Sequence, residues 1–211
     1  RYDLFLLDLW GVIHDGTALY DGVAETLAEL NVQNKTIIFI SNAPRRAHKA
    51  AVVLEKLGIA ASSYARIVTS GEVGFQWLKD GNAPWGNNYF FIGPQRDADV
   101  LDGLDYQQVS SIGEADFLLN VGFGNEEQSD DNFADILAKA QQKNIPMLCL
   151  NPDLEVVKIS GERHACAGVI GKQYEAIGGK VTWFGKPYGE VYDFILQDMS
   201  IAKNSILAVG D

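Results

Sequence analysis

Polar side chains directly follow apolar runs of this chain at several places. They are a carboxylate, Asp8, after residues 4–7; a hydroxyl and an amide, Ser41 and Asn42, after 36–40; an ammonium, Lys186, after 183–185; and a second carboxylate, Asp211, after 206–209. A carboxylate can act as a nucleophile that takes up a phosphoryl group and passes it to water. Two carboxylates and a backbone carbonyl can hold Mg²⁺, and hydroxyl, amide and ammonium donors can bind phosphoryl oxygens. The set therefore predicts phosphoryl transfer, provided that the fold brings these groups together.

The elements that must position these groups alternate along the chain. Short apolar runs at 4–7, 36–40, 89–92, 117–121, 147–150 and 206–209 predict buried strands, and helical spacing of apolar residues appears at 22–32, 46–57, 132–142 and 191–199. This alternation predicts an α/β fold with a mostly parallel, doubly wound sheet. Ligands of such sheets bind outside the carboxyl ends of the strands. We therefore expect the polar strand-end residues to lie close together.

A boundary falls near residues 81–88, which include Pro84 and two glycines. Beyond it the strand–helix alternation starts again. We expect two domains: a core made of 1–80 and 178–211, and an α/β unit inserted at 81–177. Residues 180–184 regain strand character and are expected to form a core strand. The chain stops directly after a predicted strand, so we expect the C-terminal part of the core to be truncated.

Composition excludes some classes of partner. The chain of 211 residues carries 28 acidic against 17 basic side chains and a net charge of −11, which argues against a nucleic-acid partner. Apolar runs fall short of the roughly 20 residues that a membrane span needs, and the start lacks a signal-peptide layout. Cys149 and Cys166 form no spacing motif; a disulfide stays open, but reduced thiols in a cytoplasmic protein are favoured. The first residue is not Met, so we expect a few residues to precede it.

The segment Asp8-Leu9-Trp10-Gly11-Val12 resembles the first motif of the haloacid-dehalogenase-like hydrolases, Asp-x-Asp-Gly-Thr/Val. The order Asp, Ser, Lys, Asp along the chain is similar to the four motifs of that superfamily. About 140 residues separate Asn42 from Lys186, which leaves room for a cap of ordinary domain size, as in the class IIA branch of sugar-phosphatase-like and nitrophenyl-phosphatase-like proteins. Residues 14–15, 151–153, 166–168 and 184–187 also resemble that branch. The resemblance implies a Rossmann-like core with an inserted cap.

The resemblance also implies roles. Asp8 would be the nucleophile and a Mg²⁺ ligand, Trp10 would offer its backbone carbonyl to the metal, and Asp211 would be a further ligand. Ser41, Asn42 and Lys186 would hold the phosphate. The expected reaction is Mg²⁺-dependent hydrolysis of a small phosphorylated metabolite through an aspartyl-phosphate. Whether the protein forms a homodimer stays open. The additional acid that the family usually has would lie beyond Asp211.

Trp10 departs from the family motif, because it stands where family phosphatases have the Asp that protonates the leaving group and activates water. Three interpretations follow. A replacement acid, Asp15 or His14 or a group from the cap or the substrate, supplies the proton. Alternatively, the protein is a metal-independent dehalogenase, since those relatives have an aromatic residue at this position. In the third interpretation it is a catalytically weak protein that binds a phosphorylated ligand.

Several other polar residues have simpler explanations. Arg45 and Arg46 directly follow Ser41-Asn42 and either contact an anionic substrate or lie in solvent at a helix start. The histidines show no metal-ligand spacing, although His164 is a weak candidate for a substrate contact. The acidic pairs at 126–127 and 130–131 predict a solvated face.

Overall fold

The computed structural model describes residues 1–124, 133–157 and 161–211; the acidic pairs at 126–127 and 130–131 lie outside them. The strands are β1 (Leu4–Asp8), β2 (Thr36–Ser41), β3 (Arg66–Thr69), β4 (Asn88–Ile92), β5 (Gln107–Val109), β6 (Phe117–Asn120), β7 (Met147–Cys149), β8 (Glu155–Val157), β9 (Arg163–Ala165), β10 (Val181–Trp183) and β11 (Ile206–Val209). The helices are α1 (Val23–Val32), α2 (Ala47–Lys56), α3 (Ser70–Lys79), α4 (Ala134–Gln142), α5 (Ala167–Ala176) and α6 (Gly189–Leu196). Short 3₁₀ turns lie at Ala61–Ser63, Gln95–Leu101, Ile112–Glu114 and Lys203–Ser205.

A parallel sheet of order β11-β1-β2-β3 carries the N-terminal part of the chain. Strands β1, β2 and β3 are rich in Leu, Ile and Val and buried over most of their length, as expected of parallel strands covered on both faces, whereas β11 is only partly buried. Strand β1 lies between β11 and β2, with Leu7 opposite Val209 and Asp8 opposite Ile40. The carboxyl ends of these three strands therefore meet at one edge, directly before Asp211, at Asp8 and at Ser41.

A second parallel sheet has the order β10-β7-β6-β4-β5, and a separate antiparallel hairpin pairs β8 with β9. The two parallel sheets with their intervening helices confirm the α/β, doubly wound, Rossmann-like class. One expectation is wrong: β10 pairs with β7 of the second sheet and not with the core strands. The short strand Val181–Trp183 would fit either sheet. Its position depends on pairing with Met147–Cys149, which the local sequence does not specify. The division into a core at 1–80 and 178–211 and a cap at 81–177 stays a prediction.

An apolar cluster joins the two sheets. Leu6, Ile40 and Val68 of the first sheet share it with residues of the second sheet such as Phe117 and Leu148. Each of these side chains is almost fully removed from water, which contributes about 1.5–3 kcal/mol per large apolar side chain. The sheets are thus packed through a common core, and this holds the loops at their carboxyl ends near one another.

In the part of the chain that the structure describes, no helix has the length and apolar character to cross a membrane.

Candidate active site

Asp8 ends β1 and is only 7% exposed. Its Oδ1 accepts a hydrogen bond of 2.7 Å from the Leu9 backbone N–H, and its Oδ2 accepts one from Nζ of Lys186. Burial raises the pKa of the Asp8 carboxyl above its ordinary value, the hydrogen bonds from Lys186 and Leu9 oppose this rise, and the charge of Asp211 adds to it. The ammonium of Lys186 thus supports an ionised carboxylate in a desolvated position.

Lys186 reaches Asp8 from the loop after β10, and Asn42 holds its backbone. The Lys186 N–H donates to Oδ1 of Asn42 at 2.7 Å, and Nδ2 of Asn42 donates to the Lys186 carbonyl at 3.0 Å. Gly185, with a φ of 120°, lets the chain pass Asn42 closely, since a Cβ there would lie 2.6 Å from Oδ1 of Asn42. The side-chain amide of Asn42 therefore fixes the peptide from which the Lys186 ammonium extends.

Ser41 is the last residue of β2, and its side chain is buried beside the start of the following loop. Its Oγ accepts a hydrogen bond of 3.2 Å from the Ala43 N–H. A hydroxyl that accepts one bond retains its own proton for donation. Ser41 can therefore donate to an anion bound between it and Asp8.

The start of α3 braces the loop that follows Ser41. Oγ1 of Thr69 donates to the Arg45 carbonyl at 2.5 Å, and Oγ of Ser70 donates to the Ala43 carbonyl at 2.9 Å. Gly71 makes this approach possible, because a Cβ there would collide with the carbonyl oxygen of Pro44. Two hydroxyl groups at the junction of β3 and α3 thus hold this loop in place.

Asp211 directly follows β11 and lies beside Gly11, where a Cβ would collide with its carboxylate. The carboxylates of Asp8 and Asp211 therefore stand at the ends of paired strands, close enough to repel each other. Hard oxygen ligands of this kind suit Mg²⁺. Among the described residues no group of three or more His, Cys, Asp or Glu side chains surrounds one point. The donor set fits a cation held by two carboxylates and completed by backbone oxygen, for which the Trp10 carbonyl stays the predicted ligand.

The Trp10 side chain packs in the loop after β1 and reaches the β8–β9 hairpin. Its ring packs against Gly16, where a Cβ would lie 2.6 Å from Cζ3, and meets the His14 ring edge to face at 6.0 Å. Its Nε1–H donates to the Val157 carbonyl of β8 at 3.4 Å. Indole has no acid or base function near neutral pH, so Trp10 contributes shape and contact with the β8–β9 hairpin.

Comparisons with known proteins indicate the family. A family model described as haloacid dehalogenase-like hydrolase matches residues 5–107. A crystal structure of a haloacid dehalogenase-like family hydrolase from Brucella suis 1330 is 29% identical and superimposes with a TM-score of 0.90 over 100% of this chain and 78% of that one. The chain is therefore similar to the haloacid dehalogenase-like hydrolases in its first half and shares the fold of a member of that family over its whole length.

Other similar proteins indicate the class IIA branch of this family. The structure of 4-nitrophenylphosphatase from Thermotoga maritima is 27% identical, with a TM-score of 0.76 over 100% of this chain and 78% of that one. Phosphoglycolate phosphatase 1A, chloroplastic, of Arabidopsis thaliana is 25% identical over 99% of this chain and 63% of its own length. The chain thus spans less than two thirds of that relative.

Neither predicted replacement acid, Asp15 or His14, is arranged as a proton donor. Oδ1 of Asp15 accepts hydrogen bonds from the Thr17 N–H, the Thr17 hydroxyl and the Ala18 N–H at 2.7–2.8 Å. The backbone bonds from Ala18 and Thr17 lower the pKa of Asp15, which keeps it ionised. Nδ1 of His14 accepts from the Gly16 N–H at 3.0 Å, and burial lowers the pKa of His14, so its imidazole is neutral. A carboxylate committed to a turn and a neutral imidazole are both weak acids.

The arginines after Ser41-Asn42 have partners within the protein. Arg46 makes two hydrogen bonds to Glu72, of 2.8 and 3.2 Å, and lies over the Phe75 ring. Nε of Arg45 lies 3.5 Å from Oδ1 of the buried Asp97. His164 faces Glu162, with Nε2 3.2 Å from its carboxylate. These contacts favour structural roles over substrate contacts.

Asp153 also lies in the site, although the sequence pattern assigns it no role. It follows β7 of the second sheet, and its Oδ1 accepts a hydrogen bond of 2.7 Å from Nδ2 of Asn42. Burial raises the pKa of Asp153, while the Asn42 bond and the Lys186 charge oppose that rise. The signal was present in the sequence, because Asn151-Pro152-Asp153 follows an apolar strand as Ser41-Asn42 does. Which strand ends face one another depends on the packing of the two sheets.

Proposed function

We propose that this protein hydrolyses the phosphate monoester of a small metabolite through an aspartyl-phosphate on Asp8, with Mg²⁺ as cofactor. The observation that carries the proposal is the hydrogen bond from Nζ of Lys186 to Oδ2 of Asp8, made at the strand edge where Ser41, Asn42 and Asp211 also lie. Similar proteins named as phosphatases support the reaction class. A cytoplasmic location stays a prediction.

In the first step, an Asp8 carboxylate oxygen attacks phosphorus and forms a new P–O bond while the ester P–O bond breaks. The electron pair of the broken bond leaves on the alcohol oxygen, which takes a proton. Lys186 and Ser41 donate to the phosphoryl oxygens, where negative charge accumulates. In the second step, the oxygen of a water molecule attacks the same phosphorus and its proton passes to solvent. The P–O bond to Asp8 breaks with its electron pair on the Asp8 oxygen, which releases inorganic phosphate and restores the carboxylate.

Asp8 and Asp211 would hold the Mg²⁺ ion. When bound, the cation withdraws charge from the phosphoryl group and offsets the repulsion between the two carboxylates. The ammonium of Lys186 gives part of this effect permanently, because it neutralises Asp8 within the site.

Trp10 affects the transfer of a proton to the leaving alcohol, because it stands where family phosphatases have the acid. General acid catalysis usually contributes about 10²–10⁴ in rate. Without a positioned acid, esters with acidic leaving groups are expected to react well and alkyl esters slowly. Trp10 also favours a second candidate function, the binding of a phosphorylated ligand with little turnover.

The test is a phosphatase screen with Mg²⁺ of the protein and its Asp8→Asn variant. The substrates are p-nitrophenyl phosphate, phosphoglycolate and a set of sugar phosphates. An exposed helix residue gives the matched control, Asp135→Asn. We expect turnover in the protein and the control, none in Asp8→Asn, and a phosphorylated Asp8 peptide in mass spectra of quenched reactions.

Other outcomes separate the alternatives. Phosphate-ester binding without turnover supports the ligand-binding function. Metal-independent release of halide from haloacids supports the dehalogenase interpretation. Equal turnover in Asp8→Asn and the parent protein contradicts the proposed mechanism.

A further inference from the structure

We propose that Asp153 is a positioning residue that holds the Asn42 amide and, through it, the Lys186 ammonium at Asp8. This inference rests on the proposed function and extends it to a residue of the second sheet. The connection runs from the Asp153 carboxylate to Nδ2 of Asn42, from the Asn42 amide to the Lys186 peptide, and from Nζ of Lys186 to Asp8.

The Asn42 amide needs this third partner. Its Oδ1 accepts from the Lys186 N–H, and one hydrogen of Nδ2 points to the Lys186 carbonyl. The other hydrogen of Nδ2 is taken by Asp153 at 2.7 Å, the short length of a bond to a charged acceptor. Asn42 is 7% exposed, so a hydrogen left without an acceptor would be poorly solvated. Asp153 therefore completes the bonding that holds this amide against the Lys186 backbone.

Asp153 can serve as a fixed point because its own backbone is held. Its N–H donates to Oδ1 of Asn151 at 3.0 Å, and its carbonyl accepts from the Gly168 N–H at 3.1 Å. Gly168 stands in the first turn of α5, where a Cβ would collide with the carbonyls of Pro152 and Asp153. The loop after β7 is thus pressed against α5, and its carboxylate faces the first sheet.

The position of Asp153 also joins the two sheets at the reacting centre. Asn42 follows β2 of the first sheet, whereas Asp153 and Lys186 follow β7 and β10 of the second. Within the second sheet, Pro152 packs against the loop that carries Lys186, since a Cβ on Gly185 would lie 2.8 Å from its Cδ. A change at Asp153 is therefore expected to displace Lys186 relative to Asp8 without removing either group.

The experiment compares Asp153→Ala with Asp153→Asn. Asparagine keeps an oxygen that accepts from Nδ2 of Asn42, whereas alanine leaves the Asn42 hydrogen unpaired. We expect kcat to fall about tenfold in Asp153→Ala and to recover to within about threefold of the parent value in Asp153→Asn, as the loss of one partly buried hydrogen bond to a charged acceptor predicts. The pH at half-maximal kcat on the acidic side should stay unchanged in Asp153→Asn. Asp135→Ala serves as the exposed control.

A second readout does not depend on turnover. Inorganic phosphate in the presence of Mg²⁺ is titrated into each variant by calorimetry, and Asp153→Ala should bind it several-fold more weakly than the parent and Asp153→Asn proteins. If the parent protein binds phosphate but hydrolyses no ester, the proposed function fails and this titration still tests the role of Asp153.

Three results would overturn the inference. One is unchanged kcat and phosphate affinity in Asp153→Ala. Another is an equal loss of kcat in Asp153→Ala and Asp153→Asn, together with the loss of one limb of the pH dependence of kcat. This outcome would assign proton transfer to Asp153. The third is the absence of phosphate binding in the parent protein. If Asp153→Ala does not fold, Asp153→Ser takes its place, and Asp153→Asn must still exceed it in kcat.

Discussion

Nζ of Lys186 donates a hydrogen bond to Oδ2 of Asp8, although 178 residues separate the two in the chain. The lysine extends from a loop of the second sheet and the aspartate ends a central strand of the first. The contact therefore reports the packing of the two sheets, and it neutralises a buried carboxylate that burial alone would push toward its protonated form.

Removal of this ammonium should shift the pH dependence of activity. The attacking Asp8 must be ionised, so kcat/KM should rise with pH through the pKa of Asp8. Because the hydrogen bond and charge of Lys186 lower that pKa, Lys186→Met should move the acidic limb to higher pH and reduce kcat/KM about 10²-fold or more. The measurement is a pH–rate profile with p-nitrophenyl phosphate, with the exposed Lys203→Met as control. An acidic limb that stays in place or moves to lower pH would contradict this assignment.

Trp10→Asp should restore the proton transfer that the family motif provides. A carboxylate two residues after Asp8 is expected to raise kcat on alkyl phosphates by about 10²-fold or more and to change kcat on p-nitrophenyl phosphate little. Trp10→Phe is the control, since it keeps an aromatic ring against Gly16 but loses the bond to the Val157 carbonyl. The slope of log kcat against leaving-group pKa measures the effect. An equal slope in both variants would argue that another group already supplies the proton.

Asp211→Asn should weaken the response to Mg²⁺. The variant keeps an oxygen but loses the charge that a divalent cation requires, so the Mg²⁺ concentration for half-maximal activity should increase. EDTA should abolish turnover in the parent protein, and added Mg²⁺ should restore it. Asp105→Asn, an exposed change of the same kind, should titrate like the parent. Identical Mg²⁺ curves for all three proteins would remove Asp211 from the metal site.

Gly71→Ala should destabilise the protein and weaken phosphate binding together. Its added methyl group meets the Pro44 carbonyl, and backbone on both sides of the contact has little room to shift, so the expected loss is about 1–3 kcal/mol. Gly189→Ala is the matched control at the start of α6, where the nearest atom to an added Cβ is 4.0 Å away. Urea unfolding followed by circular dichroism gives the free energy of unfolding of each variant, and the calorimetric titration with inorganic phosphate gives its phosphate affinity. Equal stability of the two variants would show that the loop after Ser41 yields more easily than its contacts imply.

Local pattern was sufficient to predict most of the first sheet. The apolar runs before Asp8, Ser41 and Asp211 became β1, β2 and β11, because parallel strands covered on both faces need apolar residues; the expected burial holds for β1 and β2, whereas β11 is only partly buried. The replacement of the second Asp of the family motif by Trp10 was also visible in the sequence. What the sequence by itself determined is therefore the α/β class and which polar groups stand at strand ends.

Tertiary structure decided which of these groups meet. It placed β10 in the second sheet and still brought Lys186 to Asp8, it added Asp153 through Asn42, and it tied Asp15 into a turn. These outcomes depend on contacts between residues 34 to 178 positions apart and on hydrogen bonds that compete for the same side chain. Neither is encoded in the spacing of apolar residues, because that spacing specifies which face of an element is buried and not what packs against it.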